Sequence, residues 1–121
     1  MAMPVPSAVR DRARGFLPAD AEIRYIFPAS WNESAFFIFV VTDSAITVLA
    51  NRFWSRSRPK NIWHVFPRDV HVGPVRTHLI PTFDLGGHTF EVDEEYVAVI
   101  NACDAELSQD TALPPDPLPD L

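Results

Sequence analysis

The 121 residues carry ten Lys and Arg against sixteen Asp and Glu, with Cys103 the single cysteine, so an internal disulfide and a secreted disulfide scaffold are excluded. Residues 1–90 hold all ten bases against seven acids, whereas residues 91–121 hold nine acids and no base; this division argues against a nucleic-acid binder, which needs a dominant positive field. The longest apolar run, Ala35–Val41, is far short of the ~20 residues of a spanning helix, and MAMPVPSAVRDRARGFLP offers no signal-peptide core, so a cytoplasmic protein is expected.

In chain order, residues 1–19 read as an N-terminal arm in which Ser7 caps a short helix over Ala8–Arg14, ended by Gly15 and Pro18. Its few apolar residues predict a surface position. Strands follow. Ala21–Phe27 alternates Ile23, Tyr25 and Phe27 with Glu22, Arg24 and Ile26 and stops at Pro28. Phe36–Thr42 is apolar without alternation, as in a strand covered on both faces. Asp43-Ser44 turns the chain into Ala45–Asn51, a hairpin. Arg52–Lys60 is a loop, and Asn61–Phe66 is a strand ended by Pro67. Val70–Val72 offers a short strand before Gly73-Pro74; Thr77–Phe83 is a strand whose Pro81 places it at an edge or bulge. The turn Asp84–Gly87 leads into a strand over His88–Val92. The period then changes: Tyr96, Val99, Ile100, Cys103 and Leu107 recur at helical steps, predicting a helix Glu94–Leu107 with Asp93 as N-cap. Ser108–Leu121, Pro-rich and acidic, reads as a disordered tail. The expected fold is mainly β (α+β): a bent antiparallel barrel of about seven strands over residues 20–107, capped by a C-terminal helix.

The stretches Tyr25–Ala29 (YIFPA), Val41–Leu49 (VTDSAITVL), Arg58–Val75 and Leu85–Ile100 resemble bacterial pleckstrin-homology-like and GRAM-like domains, in particular small stand-alone actinobacterial proteins. The resemblance implies a seven-strand meander closed by one helix, and a class of folds that hosts lipid, peptide and protein binding. Relatives that bind phosphoinositides use a basic loop between the first two strands. Here that connection, Pro28–Ser34, has no Arg or Lys.

Two segments are candidate interaction sites. Arg52, Arg56, Arg58 and Lys60 surround Phe53 and Trp54, and cations beside large rings suit an anionic surface or ligand; the same pattern also describes a solvated hairpin loop whose rings cover the core. His78, Ile80, Pro81 and Thr82 mark a candidate edge strand to which a partner peptide could add. His64, His71, His78 and His88 lack metal-ligand spacing, so no metal is expected. Nucleophile elbow, P-loop and dinucleotide motifs are absent, so neither a cofactor nor an enzyme is expected. Cys103 reads as a small core hydrophobe, and the acids Asp93–Glu95 as helix-capping residues. The leading expectation is a non-enzymatic domain that binds a protein or peptide partner, weak self-association included. The rivals are a peripheral binder of anionic lipid through residues 51–60 and, more weakly, a small-molecule pocket or enzyme.

Overall fold

The computed structural model describes residues 6–32, 35–51, 58–77 and 79–112, the last five by backbone alone. Its elements are helix α1 (Ser7–Arg14), strands β1 (Tyr25–Trp31), β2 (Ala35–Val41), β3 (Ala45–Asn51), β4 (Pro59–Pro67), β5 (Thr82–Leu85) and β6 (His88–Glu91), a 3-10 turn (Glu94–Tyr96) and helix α2 (Val97–Ala112). The strands form one antiparallel six-stranded sheet in the order β4-β3-β2-β1-β6-β5, which does not close into a ring of ladders.

The sheet is nonetheless strongly curled. Phe27 stacks on Phe39 with ring centroids 5.1 Å apart, and Phe39 meets Phe83 and Phe90 edge-on at 5.4 and 5.1 Å. Neighbouring β1 and β2 therefore reach across the interior to β5 and β6. Trp63 of β4 completes the wrap against Phe37 and Phe90, and the Phe66 ring lies over Gly86 in the β5–β6 turn. All four phenylalanines of the inner cluster are fully buried, each contributing roughly 1.5–3 kcal/mol by removal from water, with edge-to-face contacts adding to that.

β2 is covered on both faces, as its unbroken apolar run predicts. Phe37 and Phe39 face the aromatic interior, and Ile38 and Val40 lie buried on the opposite side. Val9 and Ala13 of α1 join the same core. The N-terminal helix is thus a packed element, contrary to the surface position its composition suggests. Two small apolar residues four apart suffice, because they lie on one face of the helix. Ser7 makes no capping bond, and Pro6 occupies the N-cap.

Three strands depart from expectation by more than two residues, and β4 begins at Pro59, inside the expected loop Arg52–Lys60. β1 begins at Tyr25 and runs through Pro28 to Trp31; it has seven pairs to β2 but only Ser30↔Glu91 to β6, so at Pro28 the strand is laddered on one side alone. Val70–Val72 forms no strand, because the amides of Val72 and Gly73 donate instead to the Asp104 carboxylate of α2 at 2.8 and 2.7 Å. Thr77–Phe83 shortens to a strand starting at Thr82: Leu79 has a positive φ of 67°, and Pro81 has no N–H to offer. What remains of a further strand is one bridge, Arg76↔Thr82, with N–H···O distances of 2.7 and 2.9 Å. Among the described residues the count is therefore six strands, against the about seven expected.

The C-terminal helix is also shifted. Glu94–Tyr96 form a 3-10 turn, Asp93 makes no side-chain cap bond, and the α-helix proper starts at Val97 and continues to Ala112. The expectation placed its end at Leu107, where the apolar stripe stops. Residues 108–112 contain no Gly or Pro, and the first proline after them is Pro114. Residues 113–121, the rest of the expected tail, lie outside the described residues.

Candidate functional site

Of the basic aromatic loop, Arg52, Phe53, Trp54 and Arg56 lie outside the described residues, while Arg58 and Lys60 are exposed at the start of β4. At the same end of the sheet Trp31 and Trp63 flank His88, with ring centroids 4.7 and 5.3 Å from it. In the candidate edge segment, His78 lies outside the described residues; Ile80 is 55% exposed, the Pro81 carbonyl accepts from Val92 N–H at 3.0 Å, and Thr82 opens β5, an outer strand of the sheet. The opposite outer strand, β4, exposes Ile62 and Val65 on one face but is interrupted by two register shifts and bounded by Pro59 and Pro67. Bulges and flanking prolines are the devices that discourage pairing with another chain.

The structure assembles a different concavity, of about 300 Å³, between α1, the middle of β1 and β2, the end of β6 and the 3-10 turn. Its walls are apolar: Val9 from α1, Pro28 from β1, Phe36 and Ile38 from β2, and Ile80 and Val92 from the segments that flank β5 and β6. Its polar groups are few: Ser30, Glu91, Asp93 and Tyr96. The opening exists because β1 and β6 share a single pair, Ser30↔Glu91, and separate beyond it. Leu79, next to Ile80 in the chain, is 90% exposed. An almost bare leucine held at positive φ is an unusual combination, and such strain is often retained at binding sites.

The electrostatics of this concavity are negative. Glu91 and Asp93, two positions apart on extended chain, carry carboxylates with no hydrogen bond or ion pair among the described residues. Asp93 was expected to cap the helix; it supplies only its backbone carbonyl, which accepts from Tyr96 N–H at 2.9 Å. The Tyr96 hydroxyl is held above the usual tyrosine range, first by burial and then by the carboxylates of Glu95 and Asp93. No Lys or Arg lines the concavity among the described residues, although Arg10 and Arg12 follow Val9 on α1.

A second polar cluster is structural. Glu106 of α2 accepts from Tyr25 at 2.5 Å, Arg24 at 2.7 Å and Arg68 at 3.2 Å, and Arg68 also donates to the Cys103 carbonyl at 3.2 Å. These donors, Tyr25 first and Arg24 next, hold the Glu106 carboxyl below its ordinary range. Together with Asp104, Glu106 fastens α2 across one end of the curled sheet. Burial pushes the Cys103 thiol up to about 11, away from the thiolate form that a nucleophile requires. Among the described residues no three His, Cys, Asp or Glu side chains converge as a metal group would need, and no helix is long and apolar enough to cross a membrane.

The sequence alone did not point to Val9, Ser30, Phe36, Glu91 or Tyr96 as neighbours. The one available signal was the Val9/Ala13 spacing, which marks α1 as a packed helix able to wall a groove. Comparison with protein-family models, with curated proteins and with solved structures gave no match to this chain.

Proposed function

We propose that the chain is a non-enzymatic interaction domain that receives an apolar anchor residue of a protein or peptide partner in the concavity between α1, β1–β2 and Tyr96. The observation that carries this reading is an open apolar hollow with the exposed Ile80 in its lining, on a domain whose inner core is filled by Phe27, Phe39, Phe83 and Phe90. At about 300 Å³ the hollow stands at the lower limit for small-molecule sites, a size suited to one or two side chains of a larger partner. Binding in a hollow also agrees with the defended state of β4, whose bulges discourage strand addition. We further propose that the fold is a pleckstrin-homology-like barrel in which the seventh strand is reduced to the bridge at Arg76; with that segment counted, the chain reads as seven strands followed by one helix.

The test is selection of a displayed twelve-residue peptide library against the folded protein, followed by fluorescence anisotropy on the enriched peptides. Ser30→Phe, which fills the hollow, and Ile80→Ser, at its border, are expected to weaken binding tenfold or more. Ile62→Glu together with Val65→Glu, on β4, should leave it unchanged. Failure to enrich any peptide, or equal binding to the Ser30→Phe variant with its fold verified by circular dichroism, would refute the reading. Sedimentation with anionic vesicles at low salt, lost when Arg58 and Lys60 become Ala, would favour the rival lipid reading through residues 51–60.

A further inference from the structure

Resting on the reading of the hollow as a partner site, we infer that the anchor it accepts is flanked by a basic residue: the site selects a Lys or Arg next to an apolar side chain. Glu91 and Asp93 border the hollow, yet among the described residues neither side chain takes part in the hydrogen bonds or ion pairs that hold the domain together. The other acids placed close to tertiary contacts do contribute: Asp84 pairs with Arg76, Asp104 receives two backbone amides, and Glu106 gathers three donors. Residues i and i+2 of an extended segment lie on the same side of it, so one cation can be reached by both carboxylates, and among the described residues no counter-charge occupies that place.

Geometry directs the cation to the border and the apolar group to the interior. The walls from Val9, Pro28, Phe36 and Ile38 offer no polar side chain, so a charged group placed among them would lose its hydration without compensation. Glu91 is half-buried and Asp93 exposed, and an ammonium or guanidinium there keeps part of its water while meeting both carboxylates. A basic side chain can lay its methylene stem along the aliphatic border and leave its head at the acids. An acidic segment would meet only repulsion. Discrimination between partners then comes from charge as well as from shape.

The experiment uses the full chain and three synthetic ten-residue peptides with one central leucine, flanked by lysines, by serines or by glutamates. Binding is read by perturbation of the amide resonances of Ile38, Val92 and Asp93. The lysine-flanked peptide is expected to bind most tightly and the glutamate-flanked one least, with the difference shrinking as salt is raised. In the double variant Glu91→Gln and Asp93→Asn, affinity for the lysine-flanked peptide should fall roughly fivefold, the scale of two partly exposed charge pairs, while the serine-flanked peptide binds unchanged. Equal binding of all three peptides to the wild type, lost in Ser30→Phe, would overturn the charge selection and leave the partner site standing. Absence of any binding would overturn both. Binding seen only as self-association on sedimentation would assign the hollow to a second copy and refute the basic partner.

Discussion

Asp104 joins α2 to the segment between β4 and β5 through two backbone amides, and its removal is the sharpest perturbation of the fold. Val72 is fully buried, and its N–H and that of Gly73 have the two Asp104 carboxylate oxygens as acceptors, at 2.8 and 2.7 Å. The close approach depends on glycine: a Cβ at position 73 would stand 2.9 Å from Asp104 Oδ2. A hydrogen bond to a charged acceptor contributes about 1.5–3 kcal/mol, and a buried donor left without one costs a similar amount. The Asp104 side chain retains 18% exposure, so water can satisfy part of the loss, and Asp104→Ala is expected to destabilise by about 3 kcal/mol. For a chain of this length that corresponds to a fall in Tm of roughly 10 °C. Asp104→Asn should recover little, since its amide nitrogen would face one of the two N–H donors and cannot accept from it. Urea unfolding followed by circular dichroism measures the change, and amide exchange at Val72 and Gly73 localises it. Glu95→Ala, an exposed acid outside these contacts, is the control and should stay within about 0.5 kcal/mol of the wild type. An Asp104→Ala protein as stable as that control, with unaltered exchange at both amides, would refute the reasoning.

Asp84 accepts from Arg76 at 2.8 and 3.1 Å and from Thr89 at 2.7 Å, which holds its carboxyl down at about 2. The folded value lies below the unfolded one, so the stabilisation is complete above the ordinary carboxylate range and is lost as pH falls through about 2. A carbon-detected titration should place the Asp84 midpoint near 2 and move it upward in Arg76→Ala; an unmoved midpoint would remove Arg76 as the cause. In the β5–β6 turn both glycines have positive φ, 60° at Gly86 and 84° at Gly87, as a two-residue type I′ connection requires. Gly87→Ala meets no atom and should cost only the backbone strain, about 1–2 kcal/mol. Gly86→Ala adds a Cβ 2.7 Å from the Phe66 ring and should be clearly the more destabilising; equal thermal shifts for the two would mean that β4 does not pack on this turn.

Much of the architecture is written in local patterns. Ala45–Asn51 has the bounds that its turn signals and alternation indicate, the unbroken run in β2 corresponds to a strand covered on both faces, and the glycine pair turns β5 into β6. Local pattern decides these because each depends on neighbours within a few residues. Pro28 shows where that logic fails. A proline stops a strand only if its missing N–H is needed, and that depends on whether β6 is laddered alongside, a question about residues some sixty positions away. Asp104 teaches the same lesson in reverse, since it draws the amides of Val72 and Gly73 out of any ladder from the far end of the chain. The hollow is wholly a product of tertiary structure. Val9, Ser30, Phe36, Glu91 and Tyr96 have no common motif and meet only because α1 packs on the sheet and β1 parts from β6. The sequence by itself determined an α+β chain of short antiparallel strands with an acidic end. Packing decided where β1 parts from β6 and which carboxylates, among the described residues, stand beside the resulting hollow without a partner, because both depend on contacts between segments far apart in the chain.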